Sequence, residues 1–163
     1  MGTRSTIAIE LADGTVEQVY CHWDGYLEHN GKILAEHYSN PVKLHRLIGK
    51  GSISELGKVI GKKHPFGPAY NETNIAKQAK IQKKLDEARE AGYTTFYKRD
   101  RGEDLCVNKF VDFADYKANH QYEEFEYILR QANGKATWFV ADHDGAYVTL
   151  AEAFDEAEEA EEV

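Results

Sequence analysis

Two dipeptides constrain this chain more than any other feature. Asp13-Gly14 separates β-rich residues 6–11 from 15–22, and Asn133-Gly134 separates residues 122–130 from 137–141. Asp-Gly and Asn-Gly supply the positive φ angles of two-residue turns, so each pair predicts antiparallel strands on either side. A hairpin therefore stands near each end of the chain, and whatever lies between must connect them.

That middle reads as mostly helical. Residues 32–38 have helical character, and Asn40-Pro41 then restarts a helix as N-cap and first helical residue, running to about Ile48 before Gly49. Leu44, Leu47 and Ile48 supply its apolar face. Ser52-Ile53-Ser54-Glu55 has the form of a capping box for one short turn. Residues 57–72, with three glycines and two prolines, predict a long loop. Ile75, Ala79, Ile81, Leu85 and Ala88 recur near helical spacing, predicting a helix over 74–91 that stops at Gly92. Residues 93–98 predict a strand, and Arg99–Glu103 a turn toward 105–107. Residues 111–117 fit helix or strand. Near the C-terminus, 142–145 read as a turn and 146–149 as a short strand, and Thr149-x-x-Glu152 caps a final helix. The expected architecture is α+β: a mainly antiparallel sheet built from hairpins, helices packed on one face, and an acidic C-terminal helix. Residues 1–150 form one domain, with 151–163 as an acidic helical tail.

At 163 residues the chain can bury a core without disulfide or metal support. Its two cysteines, Cys21 and Cys106, form no disulfide framework, and the first residues lack the apolar run of a signal peptide, so the expected location is the cytoplasm. No segment approaches the ~18 apolar residues of a membrane span. The net charge of −8 is unevenly spread: residues 41–84 hold ten basic side chains against two acidic, whereas 151–163 hold seven acidic and none basic. A protein imitating DNA would spread carboxylates over several elements, and this charge pattern argues against such mimicry.

Chemically capable side chains are densest in residues 20–38. Cys21, His22, Asp24, Glu28, His29, Glu36 and His37 offer ligands and acid–base groups, interleaved with Tyr20, Trp23, Tyr26 and Tyr38. If a metal is held at all, His22 and Asp24, two apart at a strand end, are the candidates. Asp142-His143-Asp144 repeats that chemistry at another turn, yet no established ligand spacing is completed. Cys21 and His22 are strand neighbours facing opposite sides, which opposes a nucleophile–base pair. No metal and no cofactor are expected.

Gly57-Lys-Val-Ile-Gly61-Lys62-Lys63 is one residue too short for a phosphate-binding P-loop and lacks the following Ser or Thr. As a basic surface, residues 43–64 with Arg46, Lys62 and Lys63 could still hold an anion. The plainer reading is a solvated cationic face that docks the acidic tail. Arg99 and Arg101 read either as a phosphate clamp or as partners of Asp100 and Glu103 across a turn.

Residues 3–9 (Thr-Arg-Ser-Thr-Ile-Ala-Ile), Asp13-Gly14-Thr15-Val16 and 19–26 (Val-Tyr-Cys-His-Trp-Asp-Gly-Tyr) resemble a family of small uncharacterised proteins carried by tailed bacteriophages and prophages. Glu36-His37-Tyr38, Lys98–Glu103 and the aromatic strand around Tyr127 are similar to it as well, whereas residues 58–92 and the tail are not. The resemblance implies a phage product acting in the host cytoplasm and transfers no catalytic residue. The expectation is a non-enzymatic accessory protein that binds and modulates a host protein in a defence or takeover setting. Trp23, Tyr26, His29 and Tyr38 would be its anchors, with Arg46, Lys62, Lys63, Arg99 and Arg101 as charged contacts. The alternatives are a nucleotide or other anionic ligand, or a metal-dependent hydrolase centred on His22 and Asp24. Self-association is open.

Overall fold

A computed structural model of the chain describes residues 3–142 and 145–161. Among the described residues the architecture is α+β, with eight strands in one mixed sheet and six α-helices. Strand β1 (Ser5–Glu10) lies at its centre. Its hairpin partner β2 (Val16–Cys21) runs antiparallel, Ile7 facing Val19. On the other side β6 (Phe125–Ala132) runs parallel to β1, Ile7 facing Tyr127. Strand β7 (Lys135–Asp142) returns antiparallel to β6, and the two-residue β8 (Val148–Thr149) closes that edge. Beyond β2 the sheet forks. Strand β3 (Ile53–Glu55) extends the Cys21 end and pairs onward with β4 (Thr95–Phe96), while β5 (Asn108–Phe110) pairs the Val16 end.

The turn chemistry works as the dipeptides imply. Gly14, Asn133 and Gly134 all have positive φ, and Asp13 Oδ1 accepts from the Thr15 amide at 3.0 Å. The parallel β1–β6 pair is not a hairpin product: it joins segments about 120 residues apart.

Burial assigns the faces. On one, Ile7, Val19, Tyr127, Leu129 and Trp138 pack under α1 (Lys32–His37), α2 (Pro41–Ile48) and α6 (Leu150–Glu161). On the other, Ala8, Val16 and Ile128 pack under Tyr116 of α5 (Phe113–Asn119). Helices are therefore not confined to one face. The reason is compositional: β1 is buried on both sides, so its even-numbered residues also need a cover.

Three local expectations need correction. Residues 53–55 form a strand rather than a capped turn, because the Ile53 and Ser54 carbonyls accept from the His22 and Trp23 amides. The strand expected over 93–98 is cut to two residues and becomes helix α4 (Tyr97–Arg101), because the Asp100 side chain caps the Phe96 amide at 2.8 Å. The expected boundary at 150/151 falls inside α6, whose Leu150 and Ala153 are buried in the main core. Helix α3 (Ile75–Glu90) matches its expected span, with the Asn74 side chain accepting from the Lys77 amide. No described helix is long and apolar enough to cross a membrane.

Candidate functional site

Residues 20–38 leave the sheet through a tightly specified bend. Asp24 has a φ of 58°, and Gly25 follows it against β1, where an added Cβ would lie 2.7 Å from Ser5 Cβ. Gly25 O accepts a 2.6 Å bond from the buried Tyr127 hydroxyl. A π-helical turn (Leu27–Gly31) then runs directly into α1. Within it, fully buried Asn30 points Nδ2 at Ser5 Oγ and Cys21 Sγ, at 3.2 and 3.3 Å. Asn30 thus staples the bend to the sheet.

The consequence is a groove of about 490 Å³ between the π-turn with α1 and the chain around 55–64 and 89–95. His29, His37 and His64 line it, together with Lys58, Arg89 and the hydroxyl-bearing Thr95. His29 Nδ1 bonds Asn30 Oδ1 at 2.8 Å, so its outer nitrogen is the one left for a ligand. His64 is held on both sides, Nδ1 to the Lys62 carbonyl at 2.9 Å and Nε2 to Thr95 Oγ1 at 3.0 Å. The side chains of Lys58 and Arg89 have no hydrogen-bond or ion-pair partner among the described residues. Neither do Glu55 and Glu90, which also line the groove. Trp23 and Tyr26, 42% and 38% exposed, are not among its lining residues: the Trp23 ring packs edge-on against His22, and the Tyr26 ring lies 6.1 Å from that of His29.

One carboxylate fixes the far wall. Asp100, whose side chain is fully buried, accepts from the Phe96 and His64 amides at 2.8 and 3.1 Å and pairs with Arg99 Nε at 3.1 Å. Arg99 spends its remaining donors on the carbonyls of Ile60, Gly61 and Thr94. Loop and helix are thereby pinned together, and Arg99 is not a free phosphate clamp.

The expected site residues thus divide. His29 lines the groove, with His37 and Lys58; Tyr26 packs near His29, and Trp23 packs against His22 outside the lining. Tyr38 takes no part: it is fully buried, its hydroxyl donates to Gly57 O at 2.7 Å, and it is a core residue rather than a surface anchor. Lys62 and Lys63 are exposed on the adjoining loop, and Arg46 is exposed on α2. Arg101 pairs with Glu103 at 3.3 Å and lies over the Phe66 ring. His22 bonds Tyr20 at 2.6 Å and packs edge-on against Trp23. Cys21 faces the opposite way, fully buried, and burial pushes its thiol up to about 12. Among the described residues, no three His, Cys, Asp or Glu gather as a metal site. His143 and Asp144 of the second turn lie outside the described residues.

Two features carry little local signal in the sequence. His64 falls within the basic stretch 43–64, and Lys-Lys-His-Pro gives no sign that its side chain is enclosed. Beneath α5, Glu126 Oε1 meets His120 Nε2 and accepts from the Tyr147 hydroxyl at 3.1 Å, and Tyr147 also reaches the Tyr116 hydroxyl at 3.3 Å. His120 and Glu126 are both about 2% exposed in their side chains. The signal available was a carboxylate, Glu126, inside the β-rich run Phe125–Leu129, with Thr6 as its eventual neighbour on β1. This network satisfies buried groups and borders no described cavity, so it ties α5 to the sheet.

No family model, curated protein or solved structure matches the chain. The geometry of the groove carries the functional reading.

Proposed function

We propose that this protein is a non-catalytic accessory protein of bacteriophage type that binds and modulates a host protein in the cytoplasm, in a defence-countering or takeover role. Its contact surface is the groove between α1 and the 55–64 segment, extended by the exposed Tyr26 beside His29 and by the exposed Trp23. The observation that carries this reading is a recess of unpaired charges with an exposed aromatic, Tyr26, set against His29 of its lining. Aromatics that bury a large area at little entropic cost dominate interfaces, while charges around them steer association. The most nucleophilic side chain of the run, Cys21, is withdrawn from solvent and held as a thiol.

The test is capture from host lysates at low salt with the native chain and with a Trp23→Ala/Tyr26→Ala double variant. A partner retained by the first and lost by the second, with the far-UV circular dichroism of both unchanged, supports the proposal. Failure to retain any partner across several hosts, or equal retention by both proteins, defeats it.

A second reading is an anionic small ligand such as a nucleotide in the same groove, favoured by Lys58 and Arg89 facing it without partners. A nucleotide panel in a thermal-shift assay separates the two, because a ligand that binds only the folded chain raises Tm by mass action. A flat response removes this reading.

A further inference from the structure

Helix α3 carries a surface that the groove does not use. Its last turns anchor it through buried Leu85 and Ala88, but residues 75–84 contain no buried side chain. Tyr70 and Ile75, at the start of this arm, are 86% and 81% exposed. Lys77, Lys80 and Lys84 share one helical face, and none makes a side-chain bond or ion pair among the described residues. A helix of ten residues without tertiary support is marginal in water, so a stretch like this gains order from something laid against it.

Charge identifies what that is. Residues 57–84 carry seven lysines against one glutamate, so the rest of this −8 chain carries −14. A second copy of the chain offers that arm a discrete acidic recess with an apolar floor. It also places its own cationic arm against the first copy's acidic body, which offsets the repulsion between the two bodies; a nucleic acid brings no such cation. Between α1 and α6 lies a recess of about 470 Å³, with Ala35, Phe154 and Ala157 as its apolar floor and Glu28, Glu36 and Glu158 around it. Among the described residues, Lys32 is the one cation lining it. Lysine suits such a place, since its aliphatic stem covers apolar surface while its ammonium reaches the carboxylates.

We infer that the lysine face of α3 docks into the acidic α1–α6 recess of a second copy. Each molecule carries one arm and one recess, so two reciprocal contacts close a twofold dimer. The contact is electrostatic in large part and weakens with salt.

The experiment is sedimentation equilibrium of the full chain and two charge-reversed variants, Lys77→Glu/Lys80→Glu/Lys84→Glu and Glu28→Lys/Glu36→Lys/Glu158→Lys. The native chain should dimerise at low salt and become monomeric near 1 M salt, where the screening length falls to about 3 Å. Each variant alone should lose the dimer, and an equimolar mixture of the two should regain it as a heterodimer. A monomeric native chain at low salt and high concentration overturns the inference. So does a mixture that stays monomeric, or a variant that dimerises like the native chain. Binding of short duplex DNA by a monomeric native chain, lost on reversing the arm, would assign the arm to nucleic acid instead and equally overturn it.

Discussion

Cys21 and Cys106 have the same side chain and opposite chemistry, and burial is what separates them. Cys21 sits under Asn30 at the end of β2, fully enclosed, with its thiol pushed up to about 12 because the thiolate would lose its hydration. Cys106 is exposed. Since the thiolate is the reactive species, a disulfide reagent added to the native protein near pH 8 should modify one thiol per chain, and Cys106→Ser should remove it. Cys21 should react only when the protein is unfolded in denaturant. Two fast-reacting thiols in the native state would contradict this assignment. Alternation along β2 made the separation of Cys21 from His22 readable in advance, because neighbours on a strand face opposite sides. The burial of Tyr38 was not readable. Its place is set by Gly57 and Thr94, which lie far along the chain and meet its hydroxyl only after folding.

Among the elements, the loop preceding α3 depends on a single carboxylate. Asp100 serves two backbone amides and a largely buried guanidinium at once. Asp100→Ala leaves those donors without an acceptor and strands the Arg99 charge, at a cost of about 3–5 kcal/mol. Urea denaturation measures the loss, and hydrogen exchange should show it concentrated near residues 57–64 and 94–99, with β1 and β6 protected as before. A destabilisation below about 1 kcal/mol would show that Asp100 is not the anchor. The same comparison explains which elements were legible. Asn40-Pro41, Asn74 and the two Xaa-Gly turns act through their own neighbours, so sequence reveals them. Strand β3, the shortened β4 and α4 are dictated by partners at Cys21 and Asp100 that no local pattern contains. The groove shares that origin: its His29 and His37 stand in a visible cluster, but Lys58 and His64 are brought to them by the loop and Arg89 by the last turn of α3.

Across the whole molecule, the sheet is covered on both faces, and ionisable hydroxyls are enclosed on each, with a thiol on one. Tyr127 and Cys21 lie on the face under α1 and α2. Tyr116 lies on the face under α5, beside Tyr147. Burial raises the titration of all four above their ordinary values. A group whose pKa is higher in the folded than in the unfolded state gives stability that is complete below the unfolded pKa. That stability is lost as pH rises toward the folded value. For Cys21 the loss begins near 9.0 and for the tyrosines near 10.0, their unperturbed values. These groups therefore leave stability level from neutral pH to about 9, then decreasing ever more steeply. Each fully buried group that the unfolded chain ionises adds about 1.4 kcal/mol per pH unit. Because the groups sit on both faces of one sheet, the loss should come as a single cooperative transition rather than as the release of one layer. Tyr127→Phe should lower stability at pH 7, by leaving the Gly25 carbonyl without its donor, and should also flatten the decline above pH 10. Urea denaturation of both proteins between pH 8 and 11 reads both effects. An unchanged alkaline slope in the variant would mean that the Tyr127 hydroxyl is not the buried, neutral donor described above.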